Sequence, residues 1–277
     1  MYIFKKTQDL QNYLAKQKGS IGFVPTMGAL HIGHLSLMEK AKKENTLCVC
    51  SIFVNPTQFN DKKDFEKYPI TLESDIAQLI AAEVDVLFLP EVEEMYPLGT
   101  ERLRTYDIGY LDTVLDGKFR PGHFNGVCLI VHRLLEAVKP QLLYLGEKDF
   151  QQCLVINQLV SQLNLPIQVI TCPTYREKNG LAMSSRNARL SAKGKEAAGI
   201  IYQTLNSFKE NKGAASFKVI YDQGLANLSD QGFDVEYLLL ANSNNLLILD
   251  EFEENTPMVV LIACKFEGVR LIDNLRI

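Results

Sequence analysis

Through the first two thirds of the 277-residue chain, short β-rich runs alternate with segments of helical period. Strand-forming runs fall at Ser20 to Val24, Thr46 to Val54, Val84 to Leu89, Gln141 to Leu145 and Pro166 to Cys172. Helix-forming segments fall at Thr7 to Lys18, His34 to Lys43, Glu73 to Ala82, Asn125 to Val138 and Phe150 to Leu163. Parallel strands need long crossover connections, and helices supply them, so this order predicts a parallel sheet covered on both faces. The expected fold class is α/β: a doubly wound, Rossmann-like sheet spanning residues 1–174.

After Cys172 the character changes. The polar stretch TYREKNGLAMSSRNARLS leads to helical segments near Ala192 to Glu210 and Ser216 to Asn227. Apolar runs follow at Val235 to Ala241, Leu246 to Leu249, Met258 to Phe266 and Val269 to Arg276, ordered as a β-meander. A smaller α+β domain is therefore expected over residues 175–277, carrying the Met-Ser-Ser-Arg-Asn loop as part of a lid.

Composition narrows the partners. Twenty-nine basic against 33 acidic side chains give a formal charge of −4, leaving no surplus of positive charge for a nucleic-acid backbone. Apolar runs such as Met258 to Cys264 are far short of the roughly 18 residues that cross a bilayer. MYIFKKTQDL does not read as a secretion signal, so a cytoplasmic protein that binds neither nucleic acid nor membrane is expected. Six scattered cysteines form neither a CxxC pair nor a zinc-spaced cluster with histidine, and read as buried free thiols.

Chemistry-bearing residues concentrate at strand-to-helix turns, which in an open parallel sheet line the ligand crevice at the carboxyl edge. Pro25-Thr26-Met27-Gly28-Ala29-Leu30-His31-Ile32-Gly33-His34 follows the first long strand. Its two histidines, three apart at the start of a helix, face one side beside the positive end of the helix dipole, an arrangement suited to a polyphosphate. Imidazole donors there can stabilise charge moving onto departing pyrophosphate. The alternative is a pair of capping or packing histidines, although two of only four histidines sharing one turn weakens it. No GxxxxGK(S/T) is present, which excludes a P-loop.

Phe53-Val54-Asn55-Pro56-Thr57-Gln58-Phe59 ends the next strand, where amide side chains can fix a small hydroxylated acid. Asn55 before Pro56 is also ordinary turn chemistry, so site and loop stand level there. Leu145-Gly146-Glu147-Lys148-Asp149-Phe150-Gln151-Gln152 offers Lys148 for a phosphate, Asp149 for a ribose hydroxyl or a helix cap, and Gln152 one turn further on. Its alternative is a solvated cap with an ion pair. Leu181-Ala182-Met183-Ser184-Ser185-Arg186-Asn187 can close over phosphate, and read alone it is also common loop composition.

The His-x-Gly-His turn with a distant Met-Ser-Ser-Arg loop resembles the class I aminoacyl-tRNA synthetase-like adenylate-forming superfamily. Within it, PTMGALHIGH, FVNPTQF, YP, GHFNGV, LGEKDFQQ and GLAMSSRN occur in the order and at the approximate spacing of the pantoate-β-alanine ligase (pantothenate synthetase) family, from about Phe23 to LIDNLRI. The resemblance implies an AMP-forming reaction of coenzyme A biosynthesis. Pantoate attacks the α-phosphate of ATP to give pantoyl adenylate and pyrophosphate, and the amine of β-alanine then displaces AMP.

By motif match the resemblance makes His34, with His31 beside it, the catalytic imidazole and Lys148 the charge stabiliser. It implies ATP contacts from Met27, Gly28, Ala29, Leu30, His31, Ile32, Gly33 and His34, from Gly146, Glu147, Lys148 and Asp149, from the Tyr175 backbone, and from Met183, Ser184, Ser185 and Arg186. Gln58 and Gln152 match the pantoate-binding glutamines, with Asn55 and Gln58 on the β-alanine side. His123 of GHFNGV is either structural, gating or in contact with substrate. Mg²⁺ is implied alongside ATP, with Asp75 and Gln78 as its partners, directly or through water. A homodimer is also implied.

The chain departs from the family pattern at Ser74-Asp75, where an acidic pair is usual, and at Lys178-Asn179-Gly180, where an Asp-Gly turn is usual. Ile32 is expected to point into the core. Two other functions stay open on residue chemistry: a nucleotidyltransferase of the same superfamily, which needs a basic pocket in place of Gln58 and Gln152, and a non-catalytic nucleotide sensor or assembly module.

Overall fold

Burial on both faces explains why the central strands read as unbroken apolar runs. In the computed structural model, which describes residues 1–60, 65–100 and 103–277, Phe23, Val24, Val49, Cys50, Leu143 and Tyr144 are all fully buried. The described chain divides into two compact units, Met1–Glu147 with Gln151–Pro173, and Lys148–Phe150 with Thr174–Ile277.

In the first unit, β1 (Tyr2–Phe4), β2 (Ile21–Thr26), β3 (Leu47–Ile52), β4 (Val86–Phe88), β5 (Leu142–Gly146) and β6 (Gln168–Cys172) form one sheet in the order β1-β4-β3-β2-β5-β6. Every pairing is parallel, with Phe23 opposite Val49 on one side and Leu143 on the other. Its helices are α1 (Thr7–Leu14), α2 (Ile32–Glu44), α3 (Leu72–Ala81), the short α4 (Val92–Met95) and α5 (Leu115–Phe119), α6 (His123–Val138) and α7 (Phe150–Gln162). β1 adds an edge strand that periodicity does not reveal, since three residues carry no pattern and Tyr2 and Ile3 are exposed.

On α2 the buried positions are Leu37, Met38 and Ala41. At about 100° per residue, Ile32 falls on the opposite side of the helix. It is 46% exposed, which corrects the expectation that it enters the core.

The second unit holds α8 (Ala192–Ala197), α9 (Ile200–Asn211), α10 (Phe217–Asp230) and an antiparallel sheet of β7 (Asp234–Asn242), β8 (Ile248–Leu249), β9 (Met258–Phe266) and β10 (Val269–Arg276). Its order is β10-β9-β7-β8, so the expected meander is not what forms: β9 skips β8 and pairs with β7. Two-residue β8 cannot offer a ladder to nine-residue β9, whose first seven residues are buried. Ile201, Leu205 and Phe208 of α9 share one apolar core with Leu240, Val260 and Ile262.

The single helix expected over Ala192 to Glu210 divides at Ala198-Gly199. The Asn179 side-chain amide donates to the carbonyls of Lys195 (2.8 Å) and Glu196 (3.2 Å), ending α8 from outside. All six cysteines are free and buried, and burial pushes the Cys48, Cys128 and Cys264 thiols up to about 12. Among the described residues no helix is long and apolar enough to cross a membrane.

Candidate active site

The strand order reverses between β2 and β5, the switch point where open α/β sheets bind ligands beyond the carboxyl ends of the strands. Three of the singled-out turns begin there, on adjacent strands: Met27–His34 after β2, Asn55–Gln58 after β3, and Gly146 at the end of β5.

The first turn has an unusual backbone. Gly28 and Ala29 both adopt left-handed φ, at +80° and +49°, and a Cβ on Gly28 would lie 3.0 Å from Asp75 Oδ2. Two successive left-handed residues aim their following N–H groups into one concavity, a nest for an anion. The occupant is Asp75: its carboxylate accepts from Ala29 N–H (2.9 Å), Leu30 N–H (2.8 Å) and the Thr71 hydroxyl (3.0 Å). Gln78 Nε2 donates to the Leu30 carbonyl at 3.4 Å and so braces the same turn. The Thr26 hydroxyl bonds to the Ser51 carbonyl and accepts from Gly28 N–H, tying the turn to the sheet.

Held this way, the turn delivers two adjoining imidazoles, tilted by 32° to one another, to the N-terminus of α2. The His31 and His34 rings lie 4.0 Å apart, and His31 N–H donates to His34 Nδ1 at 3.3 Å. With Nδ1 accepting, the neutral His34 ring carries its proton on Nε2, the donor a phosphate oxygen requires.

Asp75 and Gln78 thus stand differently from their expected place as magnesium partners. Asp75 is 1% exposed with both oxygens committed to the turn. Among the described residues no group of three or more His, Cys, Asp or Glu side chains could hold a metal ion. This donor set does not fit a resident protein-held ion.

Around the β3 turn, polar bonds support one side chain. Asn55 is 1% exposed: its Nδ2 donates to Gln58 Oε1 (3.1 Å) and the Gly126 carbonyl (3.1 Å), while its Oδ1 accepts from the Tyr96 hydroxyl (2.6 Å) and Thr57. Asn55 therefore holds the turn that carries Gln58. Gln58 Nε2 donates to the Met27 sulfur at 3.1 Å, a weak acceptor it can exchange for a carboxylate oxygen at little cost.

His123 braces the Gln58 turn. Its Nδ1 donates to the Gln58 carbonyl at 2.8 Å, and Arg120 lies 3.0 Å from its Nε2. Gly126 allows α6 to approach this turn, because a Cβ there would sit 2.3 Å from the Thr57 carbonyl oxygen.

Adjacent glutamines on α7 take opposite parts. Gln151 is buried, bonding the carbonyls of Leu111 and Val114 and accepting from Asp116 N–H. Gln152, one position on, is only half-buried.

Glu147 closes the first segment of the first unit, whereas Lys148, Asp149, Tyr175 and Met183–Arg186 belong to the second. Lys148 is mostly buried and lies 3.7 Å from Asp149. The Tyr175 carbonyl accepts the Met183 N–H at 2.9 Å. Ser184 caps the turn Ser185–Arg189 by accepting Arg186 N–H (3.3 Å), and buried Asn187 donates to the Ala182 carbonyl (3.0 Å). The Met183–Arg186 loop is thus a locally braced turn.

Sequence reading passed over Arg176, Asp273 and Asn274. Arg176 grips Asp273 at 2.6 and 3.0 Å and stacks on Tyr202 at 4.2 Å. Burial raises the Asp273 carboxyl above the usual range, opposed chiefly by the Arg176 hydrogen bonds. The signal available was an Asp-Asn pair interrupting an otherwise apolar-patterned final strand.

The pantoate-beta-alanine ligase family model matches residues 2–276. The pantothenate synthetase of Cytophaga hutchinsonii is 49% identical over 275 residues, covering 97% of this chain and 96% of that protein. Among solved structures, pantothenate synthetase from Thermus thermophilus superposes with a TM-score of 0.92 at 41% identity, covering 99% of both chains. The pantoate-beta-alanine ligase of Francisella tularensis, complexed with beta-gamma ATP and beta-alanine, gives a TM-score of 0.84 at 37% identity, covering 100% of this chain and 97% of that one. With the paired-histidine turn and the braced Gln58 in place on a doubly wound sheet, the chain belongs to the pantoate-beta-alanine ligase family.

Proposed function

We propose that this ligase condenses pantoate with β-alanine, driven by ATP, through pantoyl adenylate, and that the residues described above divide the work. A pantoate carboxylate oxygen attacks the α-phosphorus while the bond to pyrophosphate breaks. The β-alanine nitrogen then attacks the acyl carbon, AMP leaves with the bonding electron pair, and the nitrogen gives up its proton. Activation is needed because a carboxylate is a poor acyl donor, whereas the mixed anhydride expels a much weaker base.

In this reading His34 Nε2–H, with the His31 ring beside it, donates to the departing pyrophosphate, where charge develops. Lys148 neutralises phosphate charge, and Ser184, Ser185 and Arg186 hold phosphate oxygens. Gly146, Asp149 and the Tyr175 backbone serve ribose and adenine. Gln58 and Gln152 orient the pantoate. Magnesium enters with ATP as its counter-ion, and the enzyme acts in the cytoplasm as a homodimer.

One observation carries most of the support. The Gln58 amide touches the Met27 sulfur at 3.1 Å, so the amide suited to the acid and the turn suited to the phosphates adjoin within one unit. Incubation with ATP, pantoate and β-alanine tests the reading: AMP and pantothenate in equal amounts are expected. A phosphate-ester product would identify a nucleotidyltransferase instead, and unchanged ATP a sensor.

A further inference from the structure

Lys148 sits in the short 3-10 turn Glu147–Asp149, between the end of β5 and α7. A residue 126 positions away adds a side-chain anchor to this turn: Asn274 Nδ2 of β10 donates to the Lys148 carbonyl at 2.9 Å. Its neighbour Asp273 holds Arg176 through two hydrogen bonds, and Arg176 also donates to the Asn274 carbonyl at 3.1 Å. Arg176 in turn bridges to Ala182 in the pairing that brings Met183 N–H onto Tyr175. Two consecutive polar side chains, 3% and 4% exposed, are a costly choice for a strand that only needs to pack.

We propose that Asn274, anchored through Asp273 and Arg176, is a positioning residue that sets the place of Lys148 for pyrophosphate departure. The same strand then frames both the lysine turn and the Tyr175–Met183 pairing, all within the second unit. This rests on the assignment of Lys148 as the charge stabiliser. A carbonyl anchor matters because a displacement of about 1 Å in a catalytic group can cost about a hundredfold in rate.

The test is a double-mutant cycle on pantoate-dependent pyrophosphate release. Asn274→Ala is expected to lower kcat by about tenfold to a hundredfold, with KM for pantoate changed less than about twofold. Added to Lys148→Ala, the same substitution should lower kcat by less than about twofold, because its effect passes through the lysine. Asn274→Asp keeps the side-chain shape, loses the donor and should behave alike, so misfolding of the alanine variant does not remove the test. Unchanged kcat in both variants, or an equal loss with and without Lys148, overturns the proposal. Wild-type turnover in Lys148→Ala would overturn the assignment beneath it as well.

Discussion

Asp75 accepts the backbone N–H of Leu30 at 2.8 Å, across 45 positions of sequence. That bond and its partner from Ala29 hold the two left-handed residues from which the histidine pair projects. Left-handed φ at Ala29 is strained for a residue with a side chain, and such strain persists only where surrounding bonds enforce it. An aspartate beside a phosphate-type turn thus serves the turn's shape.

Asp75→Asn should therefore act through the turn. It removes one acceptor and sets an amide donor against a backbone donor, costing about 1–3 kcal/mol. Thermal unfolding should show that loss and KM for ATP should rise, while the magnesium concentration giving half-maximal pyrophosphate release stays as in the wild type. Rescue of the variant by added magnesium would return Asp75 to the role of metal ligand.

Gly126→Ala should displace the Asn55–Gln58 turn, because the new Cβ meets the Thr57 carbonyl. Overpacking of this kind costs about 1–3 kcal/mol. Steady-state kinetics should show a raised KM for pantoate with KM for ATP little altered. An equal rise in both would place the damage elsewhere.

Gln58→Ala removes the amide proposed for pantoate. A hydrogen bond to a charged group is worth about 1.5–3 kcal/mol, so pantoate affinity should fall about tenfold to a hundredfold. Titration calorimetry showing unaltered affinity would reject that role.

The six thiols should be inert in the folded protein. Burial raises Cys48, Cys128 and Cys264 to about 12, so almost no thiolate exists at pH 8. A disulfide reagent at pH 8 should titrate none before urea is added and all six afterwards. Rapid native reaction of any of them would mean that it is reachable and activated.

Local pattern made the parallel sheet legible, since β2, β3 and β5 are buried on both faces and bounded by turn residues. The His31/His34 turn was legible for a similar reason: its parts adjoin in sequence. What pattern could not show depends on distant partners. β1 is three exposed-edge residues, α8 ends where Asn179 captures its carbonyls, and β9 chooses β7 because β8 is too short. Asn55 and Gln58 sit three residues apart with similar side chains, yet the Asn55 amide is committed to Tyr96 and Gly126 while the Gln58 amide meets the Met27 sulfur and Asn55. Arg176 and Asp273 meet across 97 positions, beyond the reach of any local signal.

The most direct measurement is exchange of labelled pyrophosphate into ATP with β-alanine left out. Exchange should require pantoate and should fall by about 10²–10³ in His34→Ala that retains the wild-type circular dichroism spectrum. Exchange without pantoate, or undiminished exchange in His34→Ala, would contradict an acyl adenylate formed with the help of that imidazole.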